Sequence, residues 1–125
     1  MGTIRPQLLV DLEISLSTIT DKFVERLAKY APFGPDNSNP VFLTRGVVDD
    51  GGSKLVGRGL QHIKMEVVDA TIDKPIQAIA FGFSDFFKEL KQYQPIDICY
   101  TIEKNRHSGK AFTQLMIKDI KLSTR

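Results

Sequence analysis

The sequence predicts a mainly β fold with some α: five strands, a helix between the third and fourth, and an N-terminal strand–helix segment in front. Three observations carry this. Apolar residues recur with period two in run after run from residue 41 onward, each run bounded by turn-forming residues. One helix-period stretch, residues 84–92, interrupts them. A connector rich in proline and asparagine, residues 32–40, divides this series from what precedes it.

Residues 8–16 alternate, with Leu8, Val10, Leu12, Ile14 and Leu16 on one face and Leu9, Asp11, Glu13 and Ser15 on the other. That pattern predicts a half-buried strand. Ser17, Thr18, Thr20 and Asp21 then supply N-cap residues for a helix running to about Lys29, with Ile19, Phe23, Val24 and Leu27 at helical spacing. Pro32 ends it, because proline disfavours helical geometry in the residue before it.

Beyond the connector, residues 41–48 form the first strand, closed by the turn Asp49-Asp50-Gly51-Gly52. Pairing resumes briefly at residues 54–56 before Gly57-Arg58-Gly59. Residues 62–68 are a second strand and residues 75–81 a third. The helix follows, with Ser84 as its cap and Phe86, Phe87 and Leu90 on its apolar side. Residues 96–102 and 112–122 are the last two strands, joined through a turn at residues 105–109. This is the element order of the OB-fold, a five-stranded Greek-key barrel. Residues 1–39 are expected to hold the strand, helix and connector, and residues 40–125 the barrel, the whole forming one compact unit.

Length and composition agree. A chain of 125 residues suits one domain with a real core, and 42% hydrophobic with 26% charged residues excludes wholesale disorder. Seventeen basic against fifteen acidic residues leave a formal charge of +2, so any anionic partner must be met by local clustering. Cys99 is the single cysteine; it excludes an internal disulfide and reads as a small buried residue suited to a reducing cytoplasm. No apolar stretch is long enough to span a bilayer, and no signal peptide is recognisable, so the expected location is cytoplasmic. Met1-Gly2-Thr3 reads as an expression start, as for a domain cut from a longer protein.

Catalytic constellations are missing. His62 and His107 stand in separate contexts, and no HExxH, DHH or other ligand-spaced cluster occurs. Asp49-Asp50 sits at a hairpin turn with too few neighbouring ligands for a metal. Gly57-Arg58-Gly59 lacks the strand–loop–helix context of a nucleotide-binding loop, and Cys99 has no histidine near it in sequence. The chain alone is therefore expected not to be an enzyme, with no catalytic residue, no metal site and no cofactor of its own.

A binding surface is better supported. Lys104, Arg106, His107 and Lys110 lie within seven residues of the last hairpin beside a single carboxylate, Glu103, and Asn105 adds an amide able to bond a base edge or phosphate. Taken alone, a basic hairpin tip serves solubility as readily as binding. The polar face of the second strand offers His62 and Lys64, and the loop before it supplies Arg58 and Gln61. In OB-folds the loop between strands four and five and the face of strands two and three embrace single-stranded nucleic acid. Phe81, Phe83 and Tyr100 are candidate stacking platforms. Phe81 and Tyr100 lie in apolar strand patterns and are assigned to the core, which leaves Phe83 as the platform candidate.

Several segments also carry a family likeness. Residues 27–35 with Asn37, Asn39, Pro40, Val41 and Phe42 present a Pro-Phe-Gly element just before the barrel; residues 78–82, 100–103 and 114–120 match a third strand and a final hairpin. Over about residues 8–122 the chain resembles the C-terminal part of RecJ-type single-stranded-DNA exonucleases. Asp36 stands where that family usually has glycine, and His107 where it often has tryptophan, which weakens stacking there. The family's DHH and aspartate motifs are absent. The resemblance implies an accessory domain that holds single-stranded DNA for catalytic domains of the same polypeptide, whose metal, Mg or Mn, would lie in those domains. A competing expectation is an interaction module whose strand–helix segment docks on another domain without touching nucleic acid.

Overall fold

The computed structural model describes residues 10–29 and 39–124. The expectations placed on residues 1–9 and on the Pro-Phe-Gly element at residues 32–34 lie outside the described residues. The elements run β1 (Leu12–Glu13), a 3-10 turn (Leu16–Thr18), α1 (Asp21–Ala28), β2 (Phe42–Asp49), β3 (Lys54–Val56) and a 3-10 turn (Arg58–Leu60). They continue with β4 (His62–Val68), β5 (Ile76–Ala80), a 3-10 turn (Ser84–Phe86), α2 (Phe87–Lys91), β6 (Ile96–His107) and β7 (Lys110–Leu122).

All seven strands join one sheet in the order β1-β2-β6-β7-β5-β4-β3, and β2 pairs a second time with β4. The pairings therefore run in a circuit, β2 to β6, β7, β5, β4 and back to β2. β5 and β7 pair in parallel, as do β1 and β2, and the other neighbours are antiparallel.

Alternation in the strands builds the interior. On β4, Ile63, Met65 and Val67 are fully buried while Lys64 is exposed. Ala78 and Ala80 of β5, Leu115 and Ile117 of β7, and Ile96, Ile98, Tyr100 and Ile102 of β6 complete the same core. The N-terminal segment joins it: Leu16 and Val24 are buried in that cluster, and Phe23 meets Phe42 edge-on with ring centroids 5.8 Å apart. α1 starts where Thr20 Oγ1 accepts the Phe23 amide at 3.1 Å, which satisfies one of the free amides of the first turn.

Buried polar groups tie the connections to this core. Asp69 accepts the Leu16 amide through Oδ2 and the Thr71 amide through Oδ1, each at 2.9 Å, so the β4–β5 loop clasps the first 3-10 turn. Asp49, 2% exposed, takes the Ser53 amide at 3.1 Å and lies 3.0 Å from Lys91 Nζ, which also donates to the Gly51 and Ser53 carbonyls. α2 is thereby pinned across the mouth of the β2–β3 turn.

The seven strands among the described residues are the five of the series from residue 41 together with the expected N-terminal strand, here β1, and the short pairing at residues 54–56, here β3. Several expectations need correction. The N-terminal strand shrinks to Leu12–Glu13, and Leu12 is 53% exposed instead of sharing a buried face with Ile14 and Leu16. Its position explains this: the segment pairs only with the edge of β2, through Asp11 N to Val41 O and Ile14 N to Leu43 O, then leaves the ladder for the 3-10 turn that buries Leu16. Ser84 does not cap its helix; a 3-10 turn precedes α2 and Ser84 makes no side-chain cap bond. The last hairpin is longer than expected. Ser108 (φ 53°) and Gly109 (φ 79°) form a two-residue turn with both φ positive, the geometry that matches strand twist, so pairing continues to His107 and Lys110.

Candidate nucleic-acid interface

The outer face of β4 and β5 follows from the same alternation that fills the core. With Ile63, Met65 and Val67 inward, His62, Lys64 and Glu66 point outward. Opposite them, Ala78 and Ala80 are inward, so Gln77 and Ile79 lie on the outer side. Phe81 continues that outer row and is 55% exposed. This corrects its assignment to the core: Ala78 and Ala80 occupy the inward positions of β5, and the ring has the other parity. Tyr100 is fully buried and so is not available to stack on a base. Phe83 is half-buried against the core, with its ring 6.3 Å from that of Phe86.

His62 is firmly placed. Its Nδ1 accepts the Gly82 amide at 2.8 Å, and its ring meets Phe81 edge-on, 5.0 Å between centroids and 77° between planes. An acceptor at Nδ1 leaves Nε2 as the protonated, donating nitrogen. Gly57 stands against the ring, since a Cβ there would fall 2.7 Å from His62 Cδ2. Arg58 lies exposed in the adjoining 3-10 turn, where Gly57 (φ 89°), Gly59 (φ 79°) and Leu60 (φ 54°) all take left-handed backbone angles. Gln61 is exposed beside them. Lys64 is exposed in the middle of β4, directly across from Lys54 of β3.

The hairpin residues fall into two rows. Lys104 and Arg106 continue the inward row of Ile98, Tyr100 and Ile102; past the end of the core that row meets solvent and turns from apolar to basic. Lys104 borders a hollow shared with Asp21, Val24 and Glu25 of α1 and with Phe112. Asn105 lies in the other row, its amide donating to Gln114 Oε1 at 2.7 Å, and Lys110 opens β7 opposite His107.

Strand register shows how the two groups relate. β5 runs parallel to β7, with Gln77 beside Gln114 and Ile79 beside Met116. The hairpin turn before Gln114 therefore projects past the start of β5, whereas His62, Phe81 and Arg58 stand at its far end. The structure brings Arg58, His62, Lys64 and Phe81 to one end of the face and Asn105 and Lys110 to the other, with Lys104 and Arg106 in the opposite row of the hairpin. Phe81, a candidate platform that the sequence pattern assigned to the core, and Lys54, which the sequence did not single out, both stand exposed on this side. A signal for Phe81 existed, because polar Gln77 marks its row as the outer one.

No group of three or more His, Cys, Asp or Glu side chains among the described residues could hold a metal ion. No helix among them is long and apolar enough to cross a membrane.

Fold and surface together define a small mainly β domain, one seven-stranded sheet with few helices, carrying an exposed face of basic, amide and aromatic groups. The chain belongs to the RecJ OB domain family, whose model matches residues 10–119. Among solved structures it is similar to RecJ from Thermus thermophilus, in the complex with Mn2+ and in that with Mg2+, each at 18% identity and a TM-score of 0.55 over 83% of this chain. It spans only 14% and 15% of those two chains. It is also similar to the OBody AM1L10 bound to hen egg-white lysozyme, at 15% identity and a TM-score of 0.50, over 77% of this chain and 90% of that one. No match was found among curated proteins.

Proposed function

We propose that this chain is the single-stranded-DNA-binding domain of a RecJ-type 5′-to-3′ single-stranded-DNA exonuclease acting in DNA repair and recombination in the cytoplasm. It holds the strand for catalytic domains of the same polypeptide that lie outside the sequence described. Hydrolysis, and the Mg or Mn it needs, belong to those domains. In this role the circuit of β2, β4, β5, β7 and β6 is a five-stranded Greek-key barrel with α2 between its third and fourth strands, and residues 1–39 pack on residues 40–125 as one unit.

The observation that carries the proposal is the exposed outer face of β4 and β5, with Arg58, His62 and Lys64 toward one end and a basic hairpin projecting past the other. A strand laid across it meets cations for its phosphates at both ends, with the Gln77 amide between them and Asn105 beside the hairpin. Phosphate contacts of this kind give affinity without sequence preference. Replacing Lys104, Arg106 and Lys110 together by alanine should weaken binding of a labelled single-stranded oligonucleotide and flatten its salt dependence. Identical anisotropy titrations for variant and parent would remove the hairpin from the surface.

One observation favours the competing role of a docking module. A hollow between α1 and β6 is lined by apolar Val24, Leu27, Ala28 and Ile102 and by polar Asn39, Glu103, Lys104 and Asn105, a mixed lining suited to a protein neighbour. Under that role the same titration shows no binding by the parent chain.

A further inference from the structure

Lys54 and Lys64 face each other directly across the β3–β4 ladder, and both are exposed. Like charges in this position destabilise a sheet. Neither has a carboxylate within ion-pair distance among the described residues. The nearest acidic side chain along that row, Glu66, instead takes the Gln77 amide at 3.5 Å. One step along the same face, about 7 Å by strand rise, stand His62 and Phe81. Phe81 is a large apolar ring left 55% exposed, yet it is not loose: the His62 edge abuts it, and the Gly82 amide fixes His62. Leu60, in the turn before β4, is also 55% exposed and takes a left-handed backbone angle of φ 54°. An exposed, braced aromatic beside two uncompensated cations is complementary to one chemical unit, a flat apolar base joined to a phosphate.

We propose that Phe81, braced by His62, is the base-stacking platform of this domain, and that Lys54 and Lys64 seat the backbone phosphate next to the stacked base. The occupant is one nucleotide of an unpaired strand, since a base within a duplex has both faces covered. The proposal rests on the single-strand-binding role above and adds the position at which a base is held.

The test uses the full chain, a labelled twelve-nucleotide oligothymidylate, and the matching oligomer in which every nucleotide is abasic. Phe81→Ala should weaken oligothymidylate binding about ten-fold, within the range measured for base–aromatic stacking, while Phe81→Tyr keeps it. On the abasic oligomer Phe81→Ala should bind as the parent does. Lys54→Ala with Lys64→Ala should lower the salt slope by about 0.7 per lysine on either oligomer. Thermal melts of the variants, matched to the parent, show that the fold is kept. If the parent binds oligothymidylate and Phe81→Ala binds equally well, or loses as much on the abasic oligomer, the platform is overturned and the DNA-binding role stands. If the parent binds neither oligomer, both fall.

Discussion

The Tyr100 hydroxyl lies 2.6 Å from Thr44 Oγ1, and Thr44 donates its own proton to the Ile14 carbonyl at 2.9 Å. With Thr44 committed as donor to Ile14, Tyr100 is the donor to Thr44. A relay from the middle of β6 through β2 thus reaches the N-terminal segment and holds it on the core.

Removing the Tyr100 hydroxyl tests that relay. Tyr100→Phe leaves Thr44 bonded to Ile14 and should cost about 0.5–1.5 kcal/mol in urea denaturation. Burial pushes the Tyr100 phenol well above its ordinary range, the Thr44 hydrogen bond opposes this, and Asp69 and Cys99 add to the rise. A raised folded-state pKa means that the stability is intact below the unfolded phenol's pKa and is lost as pH rises beyond it. Tyr100→Phe should therefore lessen the loss of stability above about pH 10.

Asp69 gives the opposite pH dependence. Burial raises its pKa, but the Leu16 amide, the Thr71 hydroxyl and the Thr71 and Ile72 amides outweigh burial and hold it below the ordinary carboxyl value of 3.8. A lowered folded-state pKa places the stability above the unfolded value and removes it as pH falls through the folded one. Asp69→Asn should destabilise the parent at pH 7 by about 1–3 kcal/mol, because an amide nitrogen would face donors. It should also flatten the acid side of the melting-temperature profile below about pH 4.

Lys91 and Asp49 form the one ion pair among the described residues with a fully buried carboxylate. Burial again opposes, and hydrogen bonds from Ser53, Lys91 and the Gly51 and Ser53 amides prevail to lower the Asp49 pKa. Lys91→Met strands that charge. The cost is expected at about 1–3 kcal/mol, below the figure for a wholly buried pair because the Lys91 side chain is 34% exposed. Equal unfolding midpoints for variant and parent would contradict the assignment.

Gly57 should tolerate no side chain. At φ 89°, with a Cβ position 2.7 Å from His62 Cδ2, Gly57→Ala must strain the backbone or displace the imidazole. The expected result is a loss of about 1–3 kcal/mol in stability together with a shift of the His62 ring resonances in NMR spectra.

Much of this was legible in the chain before any coordinates. The strands of β4, β5 and β6, the helix from Asp21 and the cluster Phe86, Phe87 and Leu90 follow from periodicity because each buries one face against a common core. What escaped depends on partners distant in sequence. Leu12 has the pattern of a buried residue, but its two-residue strand lies at the sheet edge, paired with β2, and its side chain is 53% exposed. The extent of the final hairpin turned on Ser108, a non-glycine residue that accepts a positive φ. The candidate site was half legible. Arg58, His62 and Lys64 fall at one end of the β4–β5 face, whereas the hairpin cations split between two rows, a consequence of a ladder that continues to His107. Phe81 was misplaced because its row is decided by which β5 residues the interior can hold, and those are Ala78 and Ala80.

The proposed function is that the chain grips single-stranded DNA through its phosphates. Fluorescence anisotropy of a labelled oligothymidylate titrated with the chain at two salt concentrations addresses it directly. The account predicts saturable binding at the lower salt, with log affinity falling by about 0.7 for each phosphate contacted per unit rise in log salt. No binding at either concentration, or binding indifferent to salt, would contradict it.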